Sequence, residues 1–303
     1  MSDPAGQSHL FDLAADAFEG CRPLTAAPPR IGCPVVAPVA PGLTIVIPVY
    51  NERATVLELI ERVREVPFDA AGGCELIVVD DGSTDGTREL LDALADVTGG
   101  DSLRVLHHAA NCGKGWAIRT GLAAARGRFV VVQDADLEYD PQQLPGLLEP
   151  LLAGTAQVVY GSRYLKGKTN VNGSGDVNGG RNRKGGRDAR GPRGGDNGRL
   201  FRHGVRLLNL VVRLLYGVWL TDEATCYKML PTELLRRLDL QCARFEFCPE
   251  LTAKLCRLGI PIVERPISYV PRGKSEGKKL RLRDGWVAIA TLWRHRHWRG
   301  EAG

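Results

Sequence analysis

The chain reads as an α/β protein: a mainly parallel sheet sandwiched by helices, closed by a basic C-terminal helical segment. Three observations predict this. Short apolar runs rich in Val and Ile recur between segments of helical period, each about 10–15 residues long, the pattern of βαβ units. The runs are continuous rather than alternating, as expected of strands covered on both faces. Composition is that of an ordinary globular protein, 44% hydrophobic and 25% charged over 303 residues, enough chain for one large core.

Residues 1–41, rich in Ala and Pro without a sustained period, read as a disordered extension. The start lacks a basic stretch followed by an apolar core, so no signal peptide is expected. The folded part, 42–300, opens at "LTIVIPVYNE" (43–52), a strand ended by a turn. A helix near 54–65 follows, with Thr55 and Glu58 at capping-box spacing. "ELIVVDDGS" (75–83) is strand then turn, and 85–97 is helical. "LRVLHH" (103–108) is a strand, and a helix spans 114–126. "RFVVVQDAD" (128–136) is a strand, 141–153 a helix and "QVVYGSR" (157–163) another strand.

Residues 165–200 break the pattern. They carry nine Lys/Arg against three Asp, so the chain's net charge of +5 is concentrated there and the remainder is close to neutral. Gly-rich and almost without aliphatic residues, the segment reads as a mobile basic insertion at the rim of a site. Helical periodicity resumes over 199–217, interrupted by Arg202, Arg206 and Arg213. A further helix at 244–258, a strand in "IPIVERPISYV" (260–270) and an amphipathic basic helix over 280–298 complete the reading. That last helix carries Trp286, Trp293 and Trp298 among Lys and Arg, a pattern that fits either a membrane–water interface or packing on the domain. No apolar run reaches the roughly 20 residues a spanning helix needs. The eight cysteines form no CxxC pair or zinc spacing and read as reduced, structural thiols. No nucleic-acid partner is expected.

Chemistry is concentrated where strands end, the place where parallel α/β sheets bind ligands. Asp80, Asp81, Asp134 and Asp136 lie at such ends. In "DADLE" the acids Asp134, Asp136 and Glu138 follow a buried run at two-residue steps. Such crowding is costly without a cation, and hard oxygen ligands suit Mg²⁺ or Mn²⁺ shared with substrate phosphates. Asp136 and Glu138 would hold the ion. "NCGKGWAIRTG" (111–121) lacks the spacing of a phosphate-binding P-loop, so its glycines read as aids to close packing. His107 and His108 read as structural, and Asp80 as a buttress of its turn.

"IPVYNE", "VVDDGSTDGT" and "DADLE", in this order, resemble the family 2 glycosyltransferases of GT-A fold. "GSRY" (161–164), "DEATCYK" (222–228) and "RGKSEGK" (272–278) look like the branch typified by dolichol-phosphate mannose synthase. The resemblance implies transfer of a sugar, with inversion, from a nucleotide-diphospho-sugar such as GDP-mannose or a UDP-sugar to a polyprenyl phosphate. It implies that Pro48, Tyr50, Glu52, Val79 and Asp81 line the base and ribose pocket, that Asp134 and Ala135 contact the donor, and that Asp136 and Glu138 bind Mg²⁺ or Mn²⁺. Arg163, Arg272 and Lys278 align with cationic residues around donor and acceptor phosphates, Arg163 with a catalytic part. Arg202 and Arg206 stand in for acceptor-side residues that do not align cleanly. The branch often has Gln where this chain has Glu138. A lipid acceptor implies a peripheral location on the cytoplasmic face of a membrane and leaves room for an integral-membrane partner protein. Two other functions stay open: a soluble sugar or glycan acceptor, for which Glu246 or Glu250 could act as base, and a non-catalytic nucleotide- or membrane-binding module.

Overall fold

The structure is a computed structural model that describes residues 42–98, 102–165, 196–271 and 282–300. The whole expected N-terminal extension and residues 166–195 of the basic insertion, together with Arg272 and Lys278, lie outside the described residues.

Four strands form the first half: β1 (Leu43–Val49), β2 (Cys74–Asp80), β3 (Leu103–His107) and β4 (Phe129–Val132). They pair in parallel in the order β3-β2-β1-β4, linked by helices α1 (Val56–Arg64), α2 (Thr87–Thr98) and α3 (Lys114–Ala124). The apolar runs explain the burial: Ile45, Val46, Ile77, Val78 and Val130 are inaccessible to solvent. Such a strand has no polar face, so helices must cover both sides of the sheet.

The second half adds one antiparallel strand to the expected mainly parallel sheet. Helix α4 (Leu144–Leu152) leads to β5 (Val158–Ser162), and α5 (Asp196–Tyr216) to β6 (Lys228–Pro231). Strand β6 lies antiparallel to both β4 and β5, and β7 (Ile262–Pro266) adds in parallel to β5, giving a seven-stranded sheet ordered β3-β2-β1-β4-β6-β5-β7. Because α5 starts at Asp196, the last five residues of the expected insertion are helical. Helices α6 (Thr232–Arg237), α7 (Phe247–Arg257) and α8 (Leu282–Arg294) complete the order. Strand β6 and helix α6 have no counterpart in the sequence reading.

Helix α8 packs on α5 and α7 through buried Ala288, Thr291 and Leu292, while Trp286 and Trp293 stay exposed. No helix among the described residues is long and apolar enough to cross a membrane. Cys74, Cys226, Cys242, Cys248 and Cys256 are free thiols, and burial pushes Cys74 up to about 11 and Cys256 up to about 12.

Candidate functional site

Loops after β1, β2 and β4 meet at the carboxyl edge of the sheet because their side chains bond to each other's backbones. Asn51, at φ 52°, accepts from the Thr84 N–H at 2.8 Å and donates its own N–H to Ser83 Oγ at 2.9 Å. Asn tolerates this left-handed conformation better than most residues. The Glu52 N–H donates to Thr87 Oγ1, and the Arg53 N–H to Asp85. Thr55 does not close the expected capping box, for no side-chain cap bond forms at α1. Its hydroxyl donates to the Ala135 carbonyl at 2.8 Å, tying the "YNE" turn to the acidic loop.

The paired aspartates after β2 have different surroundings. Asp80, fully buried, accepts from the Ser83 N–H, Arg88 Nε and His107 Nδ1 at 3.0–3.2 Å. Burial alone would raise its pKa, but these bonds hold it below the usual carboxylate value. This is the buttress expected of it. Asp81, also buried, accepts from the backbone N–H of Cys112 and Gly113 and bonds His108 at 2.7 Å. His108 Nε2 meets Thr120 Oγ1 at 2.9 Å. Asp81 therefore fastens the loop before α3, with its carboxylate already occupied. Val79, which the resemblance placed on the base pocket, is fully buried, and its exposed neighbours in that set are the half-buried Pro48, Tyr50 and Glu52.

That loop delivers a residue the sequence reading passed over. Gly113 sits at φ +103°, where a Cβ would come within 2.5 Å of the Ala243 carbonyl oxygen, and a Cβ on Gly115 would meet the same segment at 2.8 Å. The glycines thus permit close packing, as expected. Between them, Lys114 points at the acidic loop, with Nζ 2.5 Å from Asp134 Oδ1. Burial would lower the ammonium pKa, but Asp134 more than offsets this and the pKa is raised. The Gly-Lys pair was the available signal.

After β4 the acidic loop turns at Leu137, φ +59°, and Asp134, Asp136 and Glu138 are all half-buried while Ala135 is buried. The Glu138 N–H donates to Asp136 Oδ1 at 3.2 Å, and Tyr269 donates its hydroxyl to Glu138 Oε2 at 2.5 Å. Behind them Gln133 is fixed by Tyr227 and by the Asp134 carbonyl. Half-buried carboxylate oxygens, with an ammonium and a hydroxyl drawn against them, suit a hard divalent cation sharing its sphere with phosphates. Among the described residues, the one three-residue group whose ligand atoms lie within 4.8 Å of each other is Asp81, His108 and Cys112. Asp81 and His108 are committed to the internal bonds above, so the group does not read as an ion site.

One tyrosine ring away the charge reverses. Arg163 lies 5.0 Å from the Tyr269 ring, in a cage completed by Tyr139, Tyr164 and Phe201. Its guanidinium forks onto Asp222 through two 2.7 Å bonds, and its backbone N–H reaches the same carboxylate. Only 6% of the residue is exposed. The pair engages two of the five guanidinium N–H donors of Arg163 with a protein carboxylate. Glu264 orients Asp222 from behind by accepting the backbone N–H groups of Thr221 and Asp222. Arg202, 5.9 Å from the Tyr164 ring, and the exposed Arg206 are brought to the outer side of this cage, where both act on the Tyr164 phenol. The Tyr164 hydroxyl is buried without a partner.

Glu250, considered as a base for a soluble acceptor, is 1% exposed, 2.7 Å from Lys254 and bonded by the Gln241 N–H. Glu246 is taken up by the Arg244 N–H. Glu250 is structural in this arrangement.

Comparison with known proteins follows the same lines. Residues 44–204 match the sequence model of glycosyl transferase family 2. An undecaprenyl-phosphate mannosyltransferase of Micrococcus luteus is 33% identical over 239 residues, covering 77% of this chain and 85% of that protein. A polyprenol monophosphomannose synthase of Mycolicibacterium smegmatis is 30% identical over 254 residues, 81% of this chain and 84% of that one. Among solved structures, glucosyl-3-phosphoglycerate synthase of Mycobacterium tuberculosis, in complex with Mn²⁺, UDP and phosphoglyceric acid, superposes with a TM-score of 0.57 at 24% identity, covering 86% of this chain and 80% of that chain. That likeness is one of fold.

Proposed function

Since the chain belongs to glycosyl transferase family 2, we propose that it moves a sugar from a nucleoside-diphosphate donor to a polyprenyl phosphate. The observation that carries this reading is the contrast across Tyr269: an acidic loop on one side, and on the other an aromatic cage whose outer side carries Arg202 and Arg206. A nucleoside diphosphate needs a cation to enter an acidic loop, and a phosphate acceptor needs the cations opposite. Both relatives named above act, by their names, on polyprenyl phosphates or polyprenols.

Asp136 and Glu138 would hold the divalent ion, with Asp134 and Lys114 at the diphosphate edge. A protein of the same fold crystallised with Mn²⁺ supports that class of ion, Mg²⁺ or Mn²⁺. When bound, the ion would stabilise charge on the departing diphosphate. Tyr50, Glu52 and Pro48 would border the nucleoside, and Arg202 and Arg206 the acceptor phosphate. Arg163, neutralised by Asp222, acts as the fixed frame of that pocket. Arg272 and Lys278 keep the phosphate-binding role their motif implies.

An acceptor phosphate monoester is largely dianionic near neutral pH, its second pKa being about 6. Its oxygen attacks the anomeric carbon, the bond to the diphosphate oxygen breaks, and the configuration inverts. No strong general base is required, in keeping with the committed state of Glu250. Catalysis then rests on positioning and charge. A lipid acceptor brings the protein to the cytoplasmic face of a membrane as a peripheral enzyme, with or without an integral-membrane partner.

The test is a transfer assay. The full chain, with Mn²⁺ or Mg²⁺ and undecaprenyl phosphate, is offered radiolabelled GDP-mannose and UDP-sugars in turn. Label should enter the organic phase with one donor. Label that stays aqueous with every donor, while a soluble glycan becomes labelled, would overturn the acceptor assignment.

A further inference from the structure

Strand β5 ends in a turn that fixes Tyr164. Ser162, fully buried, accepts the backbone N–H groups of Tyr164 and Leu165 on its Oγ at 3.2 and 3.3 Å, and the same oxygen meets Thr221 Oγ1 at 2.6 Å. The phenol ring carried by this turn lies near two guanidinium groups, Arg163 at 5.8 Å and Arg202 at 5.9 Å from its centroid. Arg202 and Arg206 stand four residues apart on α5 and so share one face of that helix.

The hydroxyl at the tip of this ring is buried and has no hydrogen-bond partner. Tyr139, Tyr160, Tyr216, Tyr227 and Tyr269 each bond theirs to a protein group. An unpaired buried hydroxyl costs stability, and native structures pair nearly all such groups. The nearest carboxylate does not serve, because Asp222 accepts three bonds from Arg163. What remains is a proton donor among cations. Burial, the largest influence, pushes the phenol up against the pull of Arg163, Arg202 and Arg206, so the hydroxyl keeps its proton at neutral pH. A donor in such surroundings lacks an anionic acceptor atom, and a phosphate monoester supplies three strong acceptor oxygens.

We propose that the Tyr164 hydroxyl donates a hydrogen bond to a non-bridging oxygen of the acceptor phosphate, as a further substrate-binding residue of the transfer reaction. The identity of that phosphate rests on the polyprenyl-phosphate reading above. Arg202, half-buried beside the ring, turns onto the same phosphate and uncovers the hydroxyl as it does so. With one oxygen held by a ring that the turn after β5 fixes, the acceptor presents another to the anomeric carbon in a single orientation.

Tyr164→Phe keeps the ring and removes the hydroxyl alone. In the full chain, assayed with Mn²⁺, the KM for farnesyl phosphate should rise about ten- to a hundredfold, the range of a hydrogen bond to a charged group, while the KM for the nucleotide sugar stays within about twofold. The urea midpoint should hold or rise, because the variant removes a buried hydroxyl that is unpaired in the free protein. A falling midpoint with an unchanged acceptor KM would mark the hydroxyl as structural and overturn the proposal. So would a rise confined to the donor KM. The wild type is then labelled with [ζ-¹³C]tyrosine. The resonance missing from the Tyr164→Phe spectrum should move on addition of farnesyl phosphate and stay in place with farnesol. A resonance that farnesyl phosphate leaves unmoved would overturn the hydrogen bond whatever the kinetics. If it moves in a protein that labels no prenyl phosphate of any length, the hydrogen bond stands and the acceptor assignment falls instead.

Discussion

The two halves of the sheet handle charge in opposite ways. On the β1–β4 side, the carboxylates of the acidic loop are half-buried, held by a flexible lysine and a phenol. On the β5–β7 side, Arg163 is locked to Asp222 by a bidentate pair inside an aromatic cage. The first arrangement can exchange its counter-cation when a ligand arrives. The second cannot do so without leaving a buried charge unpaired. Under the proposed function, the donor side must admit a metal and a diphosphate and release them, whereas the frame of an acceptor pocket gains from rigidity.

The sharpest way to break this contrast is to remove the fixed partner. Asp222→Ala strands the Arg163 guanidinium, and loss of one member of a buried pair costs about 3–5 kcal/mol. Urea unfolding should show the midpoint falling accordingly. Replacing both members, Arg163→Met with Asp222→Leu, should recover part of that loss. An unchanged midpoint in the single variant would mean that the pair is not a structural anchor.

On the other side, Asp136→Ala should act on chemistry rather than on stability. Removal of a group that supports charge in the transition state lowers turnover by about a hundred- to a thousandfold, while the unfolding midpoint should move by no more than about 0.5 kcal/mol. Mn²⁺ paramagnetic resonance in the presence of a nucleoside diphosphate should show the ion lost from the protein. If stability fell as far as in Asp222→Ala, the two halves would not differ as described.

The same division governs what the sequence disclosed. Strands β1 to β5 are apolar runs with a turn signal after each, so local patterning is enough to find them. Strand β6 starts at a buried lysine and ends at Pro231 within four residues; it is a strand because β4 and β5 flank it, which no local window contains. The acidic loop could be found because its three carboxylates crowd one short stretch. Asp222 lies 59 residues from Arg163, so sequence could offer the arginine as a cation but not show that its charge was already matched. Thr55 had the spacing of a cap, yet it makes no cap bond and its hydroxyl donates to the Ala135 carbonyl, 80 residues away in sequence. Lys114 was visible only as half of a Gly-Lys pair, since its target stands twenty residues on in another loop.

The smallest expected effect separates the halves by pH. His107 bonds Asp80 and contacts Asp92, with Arg88 beside it. Its bond to Asp80 is the main reason its pKa is raised above the ordinary 6.5, with Asp92 adding to that against burial and Arg88. A histidine whose folded pKa is raised contributes stability that is fully present below its unfolded value and is lost as pH rises through the folded one. Asp80, with a lowered folded pKa, contributes above its unfolded value and loses that contribution only in acid. The buttress under the "DDGS" turn is therefore strongest between the two ordinary values, 3.8 and 6.5. His107→Gln should lower the melting temperature most in mildly acidic buffer, by an amount equivalent to less than about 1 kcal/mol for a partly exposed pair, and the gap should close as the buffer becomes alkaline. The guanidinium of Arg163 stays charged throughout, so the cost of Asp222→Ala should persist unchanged across the same neutral-to-alkaline range. A gap for His107→Gln that widened with rising pH would assign the stabilising form to the neutral imidazole and place its hydrogen bonds, rather than its charge, beneath the turn.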